Sequence, residues 1–441
     1  MKCCFITLGC RVNQYESDAM AELLSQNGHT IVDDPADADV CIINTCTVTN
    51  IADRKSRQML SKTHRINPNA KLIIAGCWSQ RNPEKAKELE GIDAVMGSSD
   101  RSRIVDIVDS LFGFDVNDTK TGVINCVRDV MHETGFEELS AVHEGRTRAY
   151  LKIQDGCNMF CTYCAIPYAR GALRSRRLES ITAEAEKLNR EGYPEVVLTG
   201  IHLMSYGVDL KNGTDVSDAV KCFRDCSNIK RIRFGSLEPH LFTDRIIEEL
   251  AKEPRICRQF HLSLQSGSDS VLDRMRRGYT AEEYFALCEK LRSVFGEDTA
   301  ITTDIIAGFP GETLQEHSET MDFMSKVGFA KVHIFPYSRR SGTKADRMAG
   351  QLTNAEKSRR AQELINLGKV LEHKYLERFI GREEYVLIET SDGAVSEGYT
   401  DTYARVIVPE SIAQNSFVRV QITEVKEGKD GELSLLSHCI G

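Results

Sequence analysis

Along residues 1–112, short apolar runs alternate with longer stretches whose apolar positions recur every three to four residues. The runs at 3–8, 40–44, 72–75 and 94–96 predict strands. The stretches at 15–27, 50–64, 83–90 and 101–112 predict helices. Strands that alternate with helices predict a parallel sheet. Residues 113–146 are polar, charged and aperiodic, which predicts a linker.

The alternation resumes over 147–370, with strands expected at 149–154, 195–199, 231–235, 259–264, 300–306 and 331–334. Six strand–helix units fall two short of a closed eightfold barrel, so an open, partial six-stranded (β/α) barrel is expected. A helical run covers 351–379. From 371 to 441 the pattern changes to β-branched strands at 385–389, 403–408, 418–425 and 433–437, separated by Gly and Asp turns. That pattern predicts a small antiparallel, OB-like β-barrel. The chain thus reads as α/β, divided into 1–112, a linker 113–146, a core 147–370 and a C-terminal unit 371–441.

Composition narrows the class. The chain has 441 residues, 41% of them hydrophobic and 27% charged, as in a soluble globular protein. No apolar run approaches the ~20 residues a membrane span needs. The start, Met1-Lys2-Cys3-Cys4-Phe5-Ile6, has the look of a strand rather than a secretory leader. Fifteen cysteines, an odd number, point to a reducing cytoplasm and to metal chemistry. The net charge of −9 offers no bulk attraction to nucleic acid, so any RNA contact must use a local basic patch.

Two cysteine sets carry candidate chemistry. Cys157, Cys161 and Cys164 form a Cys-x-x-x-Cys-x-x-Cys run on one short loop. Three soft thiolates can hold three irons of a four-iron cluster and leave the fourth iron open. A structural zinc loop is the competing reading, but zinc sites pair C-x-x-C knuckles or add histidines. The second set is Cys10, Cys46 and Cys77, each closing an apolar strand. The carboxyl ends of parallel strands lie on one edge of a sheet, so these three thiols are expected to converge. The nine other cysteines are expected to be packing or surface thiols.

The run Cys157-Asn158-Met159-Phe160-Cys161-Thr162-Tyr163-Cys164 resembles the signature of radical S-adenosylmethionine (SAM) enzymes. Taken with Cys10, Cys46 and Cys77, the chain resembles the methylthiotransferase family of those enzymes over nearly its whole length. Leu8-Gly9-Cys10-Arg11-Val12-Asn13 and Asn44-Thr45-Cys46-Thr47 are similar to the subgroup acting on threonylcarbamoyladenosine in tRNA. The resemblance implies an N-terminal methylthiotransferase unit, a radical SAM partial barrel and a C-terminal TRAM domain. It implies two [4Fe-4S] clusters, one at Cys157, Cys161 and Cys164 that cleaves SAM to a deoxyadenosyl radical, and an auxiliary one at Cys10, Cys46 and Cys77 that carries sulfur. A second SAM supplies a methyl group, and the net reaction replaces the C2 hydrogen of the modified adenosine by S-methyl. The partners implied are the tRNA anticodon stem-loop, SAM and an electron donor such as flavodoxin or ferredoxin. No membrane is involved, and a monomer is expected. The alternatives are an isopentenyladenosine or ribosomal-protein methylthiotransferase, and a non-catalytic electron carrier.

Candidate SAM contacts are Tyr163, between two of the cysteine ligands, Thr199, Gly200, Ser236 and Gln265 at successive strand ends, and Asp304 and Ile305 on the fifth strand. His202 and His333 also end strands. For RNA, the candidates are Tyr168, Arg170, Arg174, Arg176 and Arg177, directly after the cysteine loop, and Arg339 after the sixth strand. Arg274, Arg276 and Arg277 add charge on the same expected edge, and Arg54, Lys55 and Arg57 follow Cys46. Residues 371–441 hold seven Lys and Arg against thirteen Asp and Glu, unlike an electrostatic RNA clamp. Tyr399, Tyr403 and Arg405 remain possible local RNA contacts there, with packing inside the barrel the competing role for the tyrosines.

Overall fold

A computed structural model of the chain describes residues 1–113, 122–141, 145–428 and 431–440. Parts of the expected linker, 114–121 and 142–144, lie outside the described residues.

The first sheet contains β1 (Lys2–Thr7), β2 (Thr30–Val32), β3 (Val40–Thr45), β4 (Lys71–Gly76), β5 (Ile92–Val95) and β6 (Ile124–Asn125), in the order β2-β1-β3-β4-β5-β6. All its pairs are parallel. Helices α1 (Arg11–Gln26), α2 (Asn50–Ile66), α3 (Cys77–Arg81), α4 (Pro83–Lys87) and α5 (Ile104–Leu111) accompany it. Central strands β3 and β4 are nearly continuous apolar runs because both faces are covered. Ile42 and Ile73 pack with Met20 and Val108, while Ile43 and Ile74 pack with Leu60 and Trp78 on the other side. Two strands escaped the periodicity reading. Strand β2 is short and partly exposed, and β6 lies inside the expected linker, where it pairs with β5.

The core region contains β7 (Arg148–Lys152), β8 (Gln154–Asp155), β9 (Arg174–Ser175), β10 (Glu195–Thr199), β11 (Arg231–Phe234), β12 (Ser236–Leu237), β13 (Gln259–Leu262), β14 (Ala300–Ala307) and β15 (Lys331–Pro336). The expected partial barrel is present as two parallel sheets, β11-β10-β7 and β12-β13-β14-β15. The third strand passes from one to the other at Gly235. One apolar core, including Leu151, Leu198, Phe234, Phe260 and Ile305, lies behind both. Strands β8 and β9 pair antiparallel and pinch the base of the cysteine loop, which runs into α6 (Ile166–Arg170).

The long helix Asn354–Glu377 is capped by Thr353, which accepts from the Glu356 N–H. It runs through the boundary expected at 370/371, and its Tyr375 and Leu376 enter the core of the last barrel. That barrel closes in the order β16-β17-β18-β20-β19, from β16 (Glu383–Ser391), β17 (Ser396–Tyr399), β18 (Arg405–Val408), β19 (Phe417–Glu427) and β20 (Leu433–Cys439). It is not wholly antiparallel: β18 and β20 pair parallel. Among the described residues no helix is long and apolar enough to cross a membrane.

Candidate active site

Cys10, Cys46 and Cys77 follow β1, β3 and β4, three neighbouring strands held in register by the pairs Thr7–Asn44 and Thr45–Gly76. Asn13 Nδ2 ties the ends together by donating to the Leu8 carbonyl at 2.8 Å and the Thr45 carbonyl at 3.0 Å. Burial pushes the Cys46 thiol up to about 12, and the neighbouring Cys77 and Cys10 push in the same direction. Burial also raises Cys77. Cys10 Sγ lies 4.0 Å from Asn13 Oδ1, and the Gly9 backbone before it lies close against Cys46, so the strand ends bring these positions to one edge.

A buried ion network stands behind Cys77. Arg170, 0% exposed, donates Nε–H to Cys77 Sγ at 3.1 Å and Nη2–H to Asn13 Oδ1 at 2.6 Å. Its fork also grips Glu16, with Nη2 at 3.0 Å from Oε2. Glu16 meets Arg101 at 2.6 Å and Lys152 at 2.7 Å, and Lys152 meets Asp155 at 2.6 Å. Arg174 lies 3.7 Å from Asp155. Burial works to raise the Glu16 pKa, but Arg101, Arg170 and Lys152 outweigh it and hold the carboxyl low. Among the described residues four buried cations thus face two buried carboxylates, with Glu137 further out, 3.8 Å from Arg101. A buried charge without a counter-charge is costly. An anionic group held by the three thiols would balance it, so the residues present fit an anionic iron–sulfur cluster.

The second trio sits on the loop between β8 and α6. Gly156, at φ +72°, starts this loop where a Cβ would collide with the Ala172 carbonyl. Cys157 N–H donates to Gly171 O at 3.1 Å, and Cys164 N–H to Cys161 O at 2.9 Å. Thr162 pins the loop to Met275 and Arg274. Burial pushes Cys157 up to about 11 and Cys164 up to about 12. Arg277 donates from Nη1 to Cys161 Sγ at 3.3 Å and from Nη2 to both Glu238 carboxylate oxygens at 2.7 Å. Among the described residues no three His, Cys, Asp or Glu side chains converge on a single-ion position. Two sets of three soft donors with no fourth fit open four-iron clusters.

The expected SAM contacts divide. Thr199, Gly200, Ser236 and Asp304 line a single cavity of 690 Å³. Gln265 lies outside that wall. At φ +75° it is spliced into β14 through its N–H to Asp304 O and its carbonyl to Ile306 N–H. Ile305 is fully buried in the core, so only its backbone is available. Tyr163 packs against an apolar cluster with Phe309 and Tyr337. His202, held neutral by burial with a pKa near 4, keeps a buried Nε2 with no hydrogen-bond partner among the described residues. His333 lines the cavity, 5.9 Å from the His261 ring, which in turn meets Asp304 at 3.3 Å.

The RNA candidates need correction. Arg170, Arg174 and Arg176 are buried and paired: Arg170 and Arg174 in the network above, Arg176 with Glu138 at 3.1 Å and Glu184 at 3.5 Å. They hold the fold and present no charge to a ligand outside. Arg277 is likewise buried, and Arg274 is paired with Glu316 at 2.8 Å. Tyr168 and Arg177 are exposed, and Arg339 is half-exposed and bound to Asp346 at 2.9 Å. The tyrosines of the last barrel pack as well as face the cavity: Arg148 lies 5.2 and 4.9 Å from the ring centres of Tyr399 and Tyr403, and Arg233 lies 4.6 Å from that of Tyr403. Tyr399 and Tyr403 stack at 4.7 Å and, with Arg405, line the same cavity as Cys10.

Comparison with known proteins agrees with this geometry. Residues 2–97 match the profile of an uncharacterized protein family, UPF0004, and residues 151–324 match the radical SAM superfamily. The threonylcarbamoyladenosine tRNA methylthiotransferase MtaB of Bacillus subtilis (strain 168) is 39% identical, over 91% of this chain and 89% of that protein. The chain belongs to the radical SAM methylthiotransferase family. Another relative in this family, the tRNA-2-methylthio-N(6)-dimethylallyladenosine synthase of Thermotoga petrophila, is 36% identical over 87% of this chain and 85% of its own length. Among solved structures, the radical SAM methyltransferase TsrM of Kitasatospora setae shares the fold, with a TM-score of 0.58 and 15% identity over 78% of this chain and 77% of that one. In this methylthiotransferase the UPF0004 match covers the first cysteine trio and the radical SAM match covers the second.

Proposed function

We propose that the chain is a tRNA methylthiotransferase that replaces the C2 hydrogen of N6-threonylcarbamoyladenosine, next to the anticodon, by a methylthio group. Its cofactors are SAM and two [4Fe-4S] clusters. When bound, they supply the carbon radical, the sulfur and the methyl group that no side chain can supply. Cys157, Cys161 and Cys164 hold the cluster that binds SAM; Cys10, Cys46 and Cys77 hold the auxiliary one. Thr199, Gly200, Ser236 and Asp304, with the backbone of Tyr163, Gln265 and Ile305, orient SAM.

One observation carries this reading. Cys10 from the first sheet, Gly200, Ser236 and Asp304 from the partial barrel, and Tyr399, Tyr403 and Arg405 from the last barrel share one cavity wall. His261, Asp304 and His333 on the same wall suit the hydroxyl and carboxylate of a threonylcarbamoyl group better than an apolar isopentenyl chain. Outside the cavity, Tyr168, Arg177, Arg339 and the exposed face of α2 meet the RNA. The protein works in the cytoplasm as a monomer and draws electrons from a carrier such as flavodoxin or ferredoxin.

Nucleoside mass spectrometry of tRNA from cells with and without the gene tests the reaction. The methylthio form of threonylcarbamoyladenosine is expected to vanish and the unmethylthiolated form to accumulate. Unchanged levels overturn the assignment, and loss of methylthio-isopentenyladenosine instead reassigns the substrate. Anaerobic reconstitution is expected to load about eight irons, and changing either trio to Ala to remove about half.

A further inference from the structure

Each cysteine trio has its own buried arginine. Arg277 touches Cys161, and Arg170 touches Cys77. The two differ in where they come from and how they are balanced. Arg277 belongs to the same barrel as its cysteine loop and is matched by Glu238 through two 2.7 Å bonds. Arg170 ends α6 of the barrel, on the segment that follows the Cys157–Cys164 loop, yet reaches Cys77 of the first sheet. Its network leaves positive charge in excess, with Arg101, Lys152, Arg170 and Arg174 against Glu16 and Asp155.

We propose that Arg170 is a positioning residue through which the radical SAM barrel completes the auxiliary site and raises its reduction potential. This rests on the reading that Cys10, Cys46 and Cys77 hold a cluster. The physical argument is direct. Reduction of a cluster adds one negative charge. A guanidinium stays charged under all working conditions, and an N–H donated to a ligand thiolate stabilises the more negative state. Hydrogen bonds to cluster sulfurs and local charge are among the factors that set such potentials. Because Arg170 is 0% exposed to bulk solvent, little screens that charge. Reorientation of α6 by changes at the SAM loop would also be felt at Cys77, because the same residue ends the one and bonds the other.

The test uses the full chain with Cys157, Cys161 and Cys164 changed to Ala, so that only the auxiliary site loads iron. About four irons per chain are expected; none would overturn the cluster reading itself. In that background, redox titration followed by electron paramagnetic resonance compares Arg170 with R170Q and R170K. R170Q is expected to load iron and to be about tenfold harder to reduce, which is about 59 mV more negative for one electron. R170K keeps the charge but loses the fork, and its midpoint is expected between the two. An R170Q site with full iron and an unchanged midpoint overturns the proposal. If R170Q fails to hold iron, R170K decides: a lowered midpoint supports the proposal and a wild-type midpoint overturns it.

Discussion

Gly9 and Gly76 stand one residue before a candidate ligand, and each carries a backbone that a side chain resists. At Gly9, φ is +110°, and a Cβ would stand 2.9 Å from Cys46 Cβ and 3.2 Å from its Sγ. At Gly76, φ is +98°, and a Cβ would run into the Asn44 side chain and the Thr45 backbone. The positive φ alone costs about 1–3 kcal/mol for a non-glycine residue. G9A is therefore expected to displace Cys46 and to lower iron loading from about eight toward about four per chain, leaving the SAM-loop cluster in place. Iron analysis with sulfide quantitation checks it; full loading would show that the loop tolerates the methyl. The cysteines and these glycines were legible in the sequence because their chemistry is local: a thiol after a strand, a glycine where the chain turns. Glu16 and Arg170 were not. They are 154 positions apart and meet only once the first sheet and the barrel are docked. A run of four arginines beside an active site reads as an RNA patch until the carboxylate partners of three of them are seen.

At the scale of single elements, α2 illustrates how an amphipathic helix divides its work. Ser56, Leu60 and Thr63 face inward, while Arg54, Lys55, Arg57, Lys62 and Arg65 are exposed. Among the described residues none of these five has a carboxylate within ion-pair reach. The helix starts four residues after Cys46, and its first residue, Asn50, binds Ser338 and Arg339 beyond β15, so the basic face leads away from the cavity's surroundings. If it meets phosphates, the triple variant R54E/R57E/K62E should bind tRNA at least about tenfold more weakly. The slope of log K against log salt should also fall by about 2–3 in magnitude, one counterion-release increment per lost contact. Binding by filter retention at several salt concentrations measures both; an unchanged slope would leave the face merely solvated. The strands of the partial barrel were legible almost residue for residue, since β10 spans the expected 195–199. Strand β17 was not, because Ser396-Glu397-Gly398-Tyr399 carries a single large apolar side chain and looks like part of the turn before it. Its Gly398 is required by close packing, since a Cβ there would strike the Leu387 carbonyl.

For the whole molecule, part of the acidity of the last barrel serves its docking. Arg148 binds Glu389 at 2.7 Å, Arg258 binds Asp401 at 2.6 Å, and Arg231 donates to the Tyr399 and Tyr385 carbonyls at 2.8 and 2.7 Å. Arg233 donates to the Asp401 carbonyl at 3.1 Å and lies 4.6 Å from the centre of the Tyr403 ring. Two of the barrel's carboxylates, Glu389 and Asp401, and several of its carbonyls thus turn inward onto a row of arginines at the starts of the core strands. This holds Tyr399 and Tyr403 at the cavity, and charge counting along the sequence could not reveal it. One group in this dock titrates in the working range. Glu384 is pushed from an ordinary 4.5 up to about 7 by burial and by Asp401, against the pull of Arg258. Between those two values the folded protein binds more protons at this site than the unfolded chain, so stability falls as pH rises through that window. Above about 7 the carboxylate is charged beside Asp401 and the loss is complete. E384Q cannot acquire that charge. Its melting temperature is therefore expected to match the wild type near pH 4.5 and to exceed it increasingly up to pH 7.5, as read by calorimetry across the series. A constant difference between the two proteins at every pH would show that Glu384 titrates normally and that the dock is indifferent to its charge.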